Sequence, residues 1–161
     1  MYNVYELKDL AKTNDDIEPY GIIMNNNNYK LTQDQLTEIL VRKYPFKVDE
    51  IDLSNQDCTD YDIELMCKNS TFASIIKINL ENNKEITDKA IKYLLKSKII
   101  GSYSQICQIS GKYGVPMTTI DVRARGTQIT IKKKPIKYDF EITTSKGVKY
   151  IGIKEIDISY F

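Results

Sequence analysis

The sequence predicts an α/β fold, a short solenoid built from strand–helix units, on three observations. The chain repeats itself: Val48-Asp49-Glu50-Ile51-Asp52-Leu53-Ser54 reads like Ile75-Ile76-Lys77-Ile78-Asn79-Leu80-Glu81, 27 residues later. Downstream, Thr59-Asp60 with Ile63 and Met66 returns as Thr87-Asp88 with Ile91 and Leu94, 28 residues on. A weaker earlier copy holds Ile23, Asn28, Leu31-Thr32, Leu36 and Ile39. One strand plus one helix cannot bury its apolar side alone, but stacked copies form a continuous core. Stacks of this kind usually present binding surfaces, so the repeat points towards recognition before chemistry.

The elements follow in order. Val4, Leu7 and Leu10-Ala11 give residues 4–12 helical spacing, and Asn14-Asp15-Asp16 breaks it, so residues 1–19 are expected to be an N-terminal cap that holds this short helix. Residues 20–101 form the solenoid. Its first unit runs from strand Tyr20–Met24 through a turn at Asn25–Asn28. Thr32 caps a helix carrying Leu36, Ile39 and Leu40, and Pro45 stops it. The second unit runs from Val48–Leu53 through Ser54–Asp57 to a helix capped at Thr59 or Asp60, bearing Ile63, Met66 and Cys67. The third runs from Ile75–Leu80 through Asn82-Asn83-Lys84 to a helix capped by Thr87, bearing Ala90, Ile91, Leu94 and Leu95.

After Lys98 the register blurs. Ile99-Ile100 is a candidate strand, interrupted by Gly101-Ser102. Ser102–Tyr113 reads as a short helix closed by Gly111 or Gly114 and Pro116. Within residues 102–161, Thr118–Val122 is a further candidate repeat strand. Thr127–Lys132, Tyr138–Thr143 and Lys149–Phe161 alternate as strands of an antiparallel β region, with a turn at Ser145-Lys146-Gly147. This region either closes the end of the solenoid or forms a separate small sheet.

Composition narrows the chemistry. The 161 residues suffice for one domain with a core. No histidine is present, which excludes Ser-His and Cys-His nucleophile pairs and histidine-bound zinc. No phosphate-binding glycine loop occurs. Cys58, Cys67 and Cys107 are odd in number, at no metal spacing, and are expected as buried, reduced side chains. The expectation is therefore a non-enzymatic protein with no metal and no cofactor. No apolar run is long enough to cross a membrane, and the first residues lack the pattern of a signal peptide, so a cytoplasmic protein is expected, with signal-less secretion compatible. Residues 1–110 hold 13 basic and 17 acidic residues, whereas residues 111–161 hold 10 and 5. The two parts thus present surfaces of opposite sign, suited to different partners or to self-association.

Ile75-x-x-Ile78-x-Leu80-x-x-Asn83-x-x-Ile86-Thr87-Asp88-x-Ala90-Ile91-x-x-Leu94-Leu95 resembles a leucine-rich repeat of the cysteine-containing, ribonuclease-inhibitor-like kind. In the second unit Asn55 or Gln56 takes the place of Asn83. In the first the asparagine is Asn28, while Asn25 falls where an inward leucine is expected. The resemblance covers residues 20–98. It implies inward-facing Ile75, Ile78 and Leu80, with the Asn83 amide serving the backbone where the strand turns.

The resemblance also implies that protein partners bind the concave face of the sheet. On that face would lie Glu50, Asp52 and Ser54, then Lys77, Asn79 and Glu81. The competing reading is an ordinary solvated surface. The expected function is protein–protein recognition, for which an adaptor or a bacterial effector are suitable roles. The alternative is nucleic-acid or anionic-membrane binding through Arg123, Arg125, Lys132, Lys133, Lys134 and Lys137, against a plain reading of solvated lysines beside a strand.

Overall fold

The computed structural model describes residues 3–12, 20–44, 47–111, 115–132 and 136–161. Among them, strands β1 (Asn3–Glu6), β2 (Tyr20–Met24), β3 (Lys47–Asp52), β4 (Lys77–Asn79) and β5 (Met117–Arg123) lie side by side in chain order, all parallel. β7 (Lys149–Ser159) adds in parallel to β5, and β6 (Ile136–Thr143) pairs antiparallel with β7 to form the far edge. Helices α1 (Leu7–Leu10), α2 (Gln33–Val41), α3 (Asp60–Cys67), α4 (Asp88–Lys96) and α5 (Ser102–Ser110) complete an α/β, repeat-like fold whose sheet does not close.

The register explains the core. Tyr5, Ile23, Ile51, Ile78, Val122 and Ile158 form one row across six strands. The five aliphatic members are buried in one cluster with Leu36, Ile39, Ile63, Met66, Ile91 and Leu94 of the helices. A strand alternates its side chains between two faces, so fixing this row also fixes the opposite, open face.

Turns beside a buried sheet edge leave backbone groups that need partners. Asn83, fully buried, supplies four of them. Its Oδ1 accepts from the Gln56 and Cys58 N–H groups at 3.2 and 2.8 Å, and its Nδ2 donates to the Leu53 and Leu80 carbonyls at 2.8 and 3.0 Å. Gln56 does the same one unit earlier, accepting from Leu31 N–H at 2.9 Å and donating to Tyr29 and Ser54 carbonyls. In the first unit the buried amide is Asn25, bonded to the N–H and carbonyl of Tyr29. Asn28 instead is exposed at φ 48°, which corrects the expected register: the run of four asparagines turns its first member inwards.

The repeated Thr-Asp pair has two jobs. Thr32, Thr59 and Thr87 cap α2, α3 and α4 through their hydroxyls. Asp60 accepts from the N–H and hydroxyl of Thr87 at 2.8 and 2.6 Å, and Asp88 accepts from those of Thr130 at 2.8 and 2.6 Å. Each aspartate thus ties its unit to the next. Partial burial opposes ionisation of Asp88, but hydrogen bonds from Thr130 and Ile131 prevail and hold its pKa below the usual value.

Several expectations change. Residues 4–12 do not form a helix: Asn3–Glu6 is a strand beside β2, and only Leu7–Leu10 is helical, with Leu7 and Leu10 buried. Val4 is exposed, because it points to the open face. Ile99-Ile100 forms a turn. Thr127–Lys132 is not a strand either, since among the described residues its only sheet pairing is a bridge from Gln128 to Thr87. Instead Ile129 is buried, and the run Val122-x-Ala124 … Ile129-Thr130 copies Ile78-x-Leu80 … Ile86-Thr87. A fourth strand and turn therefore follow α5, which interrupts the spacing. Gly126, at φ 77°, completes that turn where an added Cβ would lie 2.5 Å from the Asn82 side chain. The antiparallel region is continuous with the main sheet rather than a separate one. Cys107 is exposed, not buried, because Gln105 occupies the inward side of α5. Asn14–Asp16, Pro45 and Gly114 lie outside the described residues.

One buried charge locks β7 to the helices. Lys154 is fully buried and its Nζ donates to the Leu94 carbonyl at 2.9 Å and to the Ser97 carbonyl, while lying 4.4 Å from the Phe140 ring centroid. An ammonium at the C-terminal end of α4 meets the negative end of the helix dipole. Burial nonetheless lowers its pKa to about 8.

Replacing Asn83 by Ala strands the Gln56 and Cys58 N–H groups and the Leu53 carbonyl, while Leu80 keeps its bond from the backbone N–H of residue 83, so urea denaturation should show a loss of about 3 kcal/mol or more. Asn26→Ala, in an exposed turn, should stay within about 0.5 kcal/mol. Lys154 yields a second expectation. Between about pH 8 and the unfolded lysine value near 10.4, the unfolded chain binds more protons at this site, so its contribution to stability rises with pH. Compared with Lys154→Met, wild type should gain stability across that window; a difference that stays constant with pH would contradict the buried ammonium.

Candidate functional site

The open face carries most of the sequence-predicted residues, and the register sets them beside one another. Glu50, Lys77 and Asp121 are consecutive in one row, with Asp157 following. Asp52, Asn79, Arg123 and Ser159 form the next. Ile23, Met24, Glu50, Ile51, Asp52, Lys77, Asn79 and Arg123 line a groove of about 230 Å³ on this face. Four of the six predicted partner-binding residues thus share one depression.

Short local bonds hold the side chains in place. Asp52 Oδ1 accepts from the Ser54 N–H at 3.0 Å and the Ser54 hydroxyl at 2.6 Å. Asn79 Oδ1 accepts from the Glu81 N–H at 3.0 Å in the same i to i+2 manner. A strand end followed by a polar residue two positions on therefore builds one device twice. Lys77 Nζ lies 3.2 Å from Glu50 Oε1.

Glu81 departs from its expected solvent-facing role. It is only 5% exposed, because Arg123 and Arg125 close over it at 2.9 and 2.7 Å, one on each carboxylate oxygen. Two residues read as a basic patch thus belong to the open face and cover the acid beside the groove. Lys137 sits apart on β6, alternating with exposed Asp139 and Glu141. Lys132 is exposed at the end of the fourth turn, and Lys133 and Lys134 lie outside the described residues. Arg123 and Lys137, which lies opposite Glu155, therefore share the open face, but they stand apart on it among acids and do not form one basic patch.

Compared with known proteins, the chain matches no family model, no curated protein and no solved structure. The site rests on its own geometry.

Sequence reasoning missed Asp121 and Asp157 as members of the face. They are direct partners on neighbouring strands, both exposed, and among the described residues neither forms an ion pair. Like charges directly opposite are unfavourable, so a cation placed between them would be welcome. The signal was present: Thr119, Asp121 and Arg123 keep the phase of Glu50 and Asp52 once Val122 is aligned with Ile51. Apolar side chains stand further off on the same face, beyond Glu50 and Lys77 across the sheet and beyond Thr119 and Glu155 along it. Val4 and Ile22 lie at one end, and Met117, Ile151 and Ile153 at the other.

A larger depression of about 480 Å³ lies on the helical side, lined by Glu64, Cys67, Lys68, Tyr93, Lys96, Ser97, Lys98 and Ile99. Burial pushes the Cys67 thiol up to about 12, so it is not a thiolate near neutral pH.

Glu81→Ala leaves two guanidiniums side by side without their carboxylate. It should lower stability by about 1–2 kcal/mol in thermal denaturation. Arg123→Ala should cost less, because Arg125 still holds the other oxygen. Equal costs would mean that the clasp does not act as a unit.

Proposed function

We propose that the chain is a short solenoid of the leucine-rich-repeat type that binds a protein partner on the open face of its sheet, in the manner of an adaptor or an effector, and without catalysis. The observation that carries this reading is the groove shared by Met24, Glu50, Asp52, Lys77, Asn79 and Arg123, which joins the four neighbouring strands β2, β3, β4 and β5 through one polar surface. The buried Asn83 and Gln56 amides and the Thr-Asp ties support the repeat assignment, since they perform the same task in successive units.

The chemistry of the face specifies its partner. Asp121 and Asp157 favour a lysine or arginine, while Met24 and Ile22 offer an apolar seat a few strands away. Charges at such a rim govern association rate and salt dependence more than final affinity. Binding of nucleic acid or anionic membrane has weaker support, because Arg123 and Arg125 are already engaged by Glu81, and Lys137 is interleaved with acids.

The test is affinity capture with wild type and with an Asp52→Ala, Asn79→Ala, Asp121→Lys variant. The variant should lose the specific partner while a Lys132→Ala, Lys137→Ala variant retains it, and wild-type binding should weaken with salt. Partners unchanged by the first variant, or lost only with the second, would reject the open face as the site.

A further inference from the structure

We propose that β6 is a pairing edge for a second copy of this chain, joined antiparallel so that Lys137 of each copy faces Glu141 of the other. The two edges of the sheet differ. β1 has four residues, whereas β6 has eight and, among the described residues, pairs only with β7. A long edge strand offers a row of backbone donors and acceptors for another strand.

The geometry fixes which groups are offered. The Thr144 N–H donates to the Val148 carbonyl at 2.9 Å, and the pairing continues as Thr143 with Lys149 and Ile142 with Tyr150. Hydrogen-bonded and non-hydrogen-bonded pairs alternate along an antiparallel ladder. Ile142, Phe140, Tyr138 and Ile136 therefore bond towards β7, while the backbone groups of Lys137, Asp139, Glu141 and Thr143 point out from the edge. The Ile153 N–H, 2.8 Å from the Pro116 carbonyl on the β5 side, agrees with this phase.

Side chains select the register of self-pairing. With Asp139 opposite its own copy on the twofold axis, Lys137 meets Glu141 twice, Tyr138 meets Phe140 twice and Ile136 meets Ile142 twice. Shifting by two residues one way sets Asp139 against Glu141 twice, which is repulsive. Shifting the other way keeps Lys137 opposite Asp139 but takes Ile142 away from Ile136 and sets it against Lys134 in sequence, so the apolar pair is lost. The first register is isologous, as a closed dimer requires. Cross-strand pairs of aromatic residues and of opposite charges are the units that stabilise such a ladder.

A second feature points to the same edge. Lys98, Ser102, Ile106, Phe140, Glu141, Ile142 and Thr143 line a groove of about 290 Å³ between α5 and β6. In the chosen register the partner's strand runs along this groove, with the partner's Ile136 and Tyr138 on its helical side. Tyr138 and Ile106 are each 43% exposed in the single chain, and both would be covered. Lys149 lies 3.8 Å from Glu141, too far to satisfy that carboxylate directly, so Glu141 has capacity for a second cation.

Sedimentation velocity of the full chain over a wide concentration range tests the proposal, with circular dichroism to verify folding. Wild type should form a dimer that dissociates on dilution. Lys137→Glu and Glu141→Lys should each weaken it by about tenfold, and the two together should restore it. Asp139→Asn, which removes the repulsion on the axis, should tighten it by about threefold. A monomer at every concentration would overturn the proposal. So would a dimer indifferent to these changes, or folded single variants whose combination fails to restore pairing.

Discussion

The buried side-chain amide at each turn is the interaction on which the remaining structure depends. A parallel strand that leaves the sheet must bend its backbone through the interior, where an unmade hydrogen bond costs about 1–3 kcal/mol. Asn83 meets that demand for two units together, since its bonds reach both its own turn and the turn of the preceding unit. Because the amide spans two units, it also sets their spacing. That spacing places Ile51 beside Ile78, and so Glu50 beside Lys77 and Asp52 beside Asn79 on the other face. The open face is thus a consequence of interior hydrogen bonding.

Much of this was legible because the demand recurs in sequence. The strand pattern, Asn83, and the Thr-Asp pairs that cap helices all lie at fixed spacing, and the structure places them as expected. Legibility failed where one pattern has two physical readings. Val4, Leu7 and Leu10 fit a helix, but they equally fit a short strand followed by one helical turn, and the available edge of β2 decides for the latter. Among Asn25–Asn28, identical side chains gave no means of telling which turns inwards. Thr127–Lys132 alternates like a strand, yet it is the turn of a fourth unit, with Thr127 bonding the Ala124 carbonyl and Ile129 entering the core.

The candidate site was only partly legible for a related reason. Glu50, Asp52, Lys77 and Asn79 lie within one repeat distance of each other, so their register was readable. Arg123 meets Glu81 across an interruption that contains α5, and no local spacing announces that encounter. The same interruption hid Asp121 and Asp157. Near neutral pH the outcome is a surface with one acid enclosed by two arginines and two further acids left exposed beside the groove. Lys154, far from that surface, secures the last strand of the parallel run against α4 and so supports the register from behind.

Native-state amide hydrogen exchange tests the central claim most directly, because it reads the hydrogen bonds made by Asn83 one by one. The N–H groups of Gln56 and Cys58, though they lie in a turn, should exchange only with global unfolding, at the rate of the β3 and β4 amides. Exchange of these two amides by local opening, at rates typical of exposed turns and with β3 and β4 still protected, would contradict that claim.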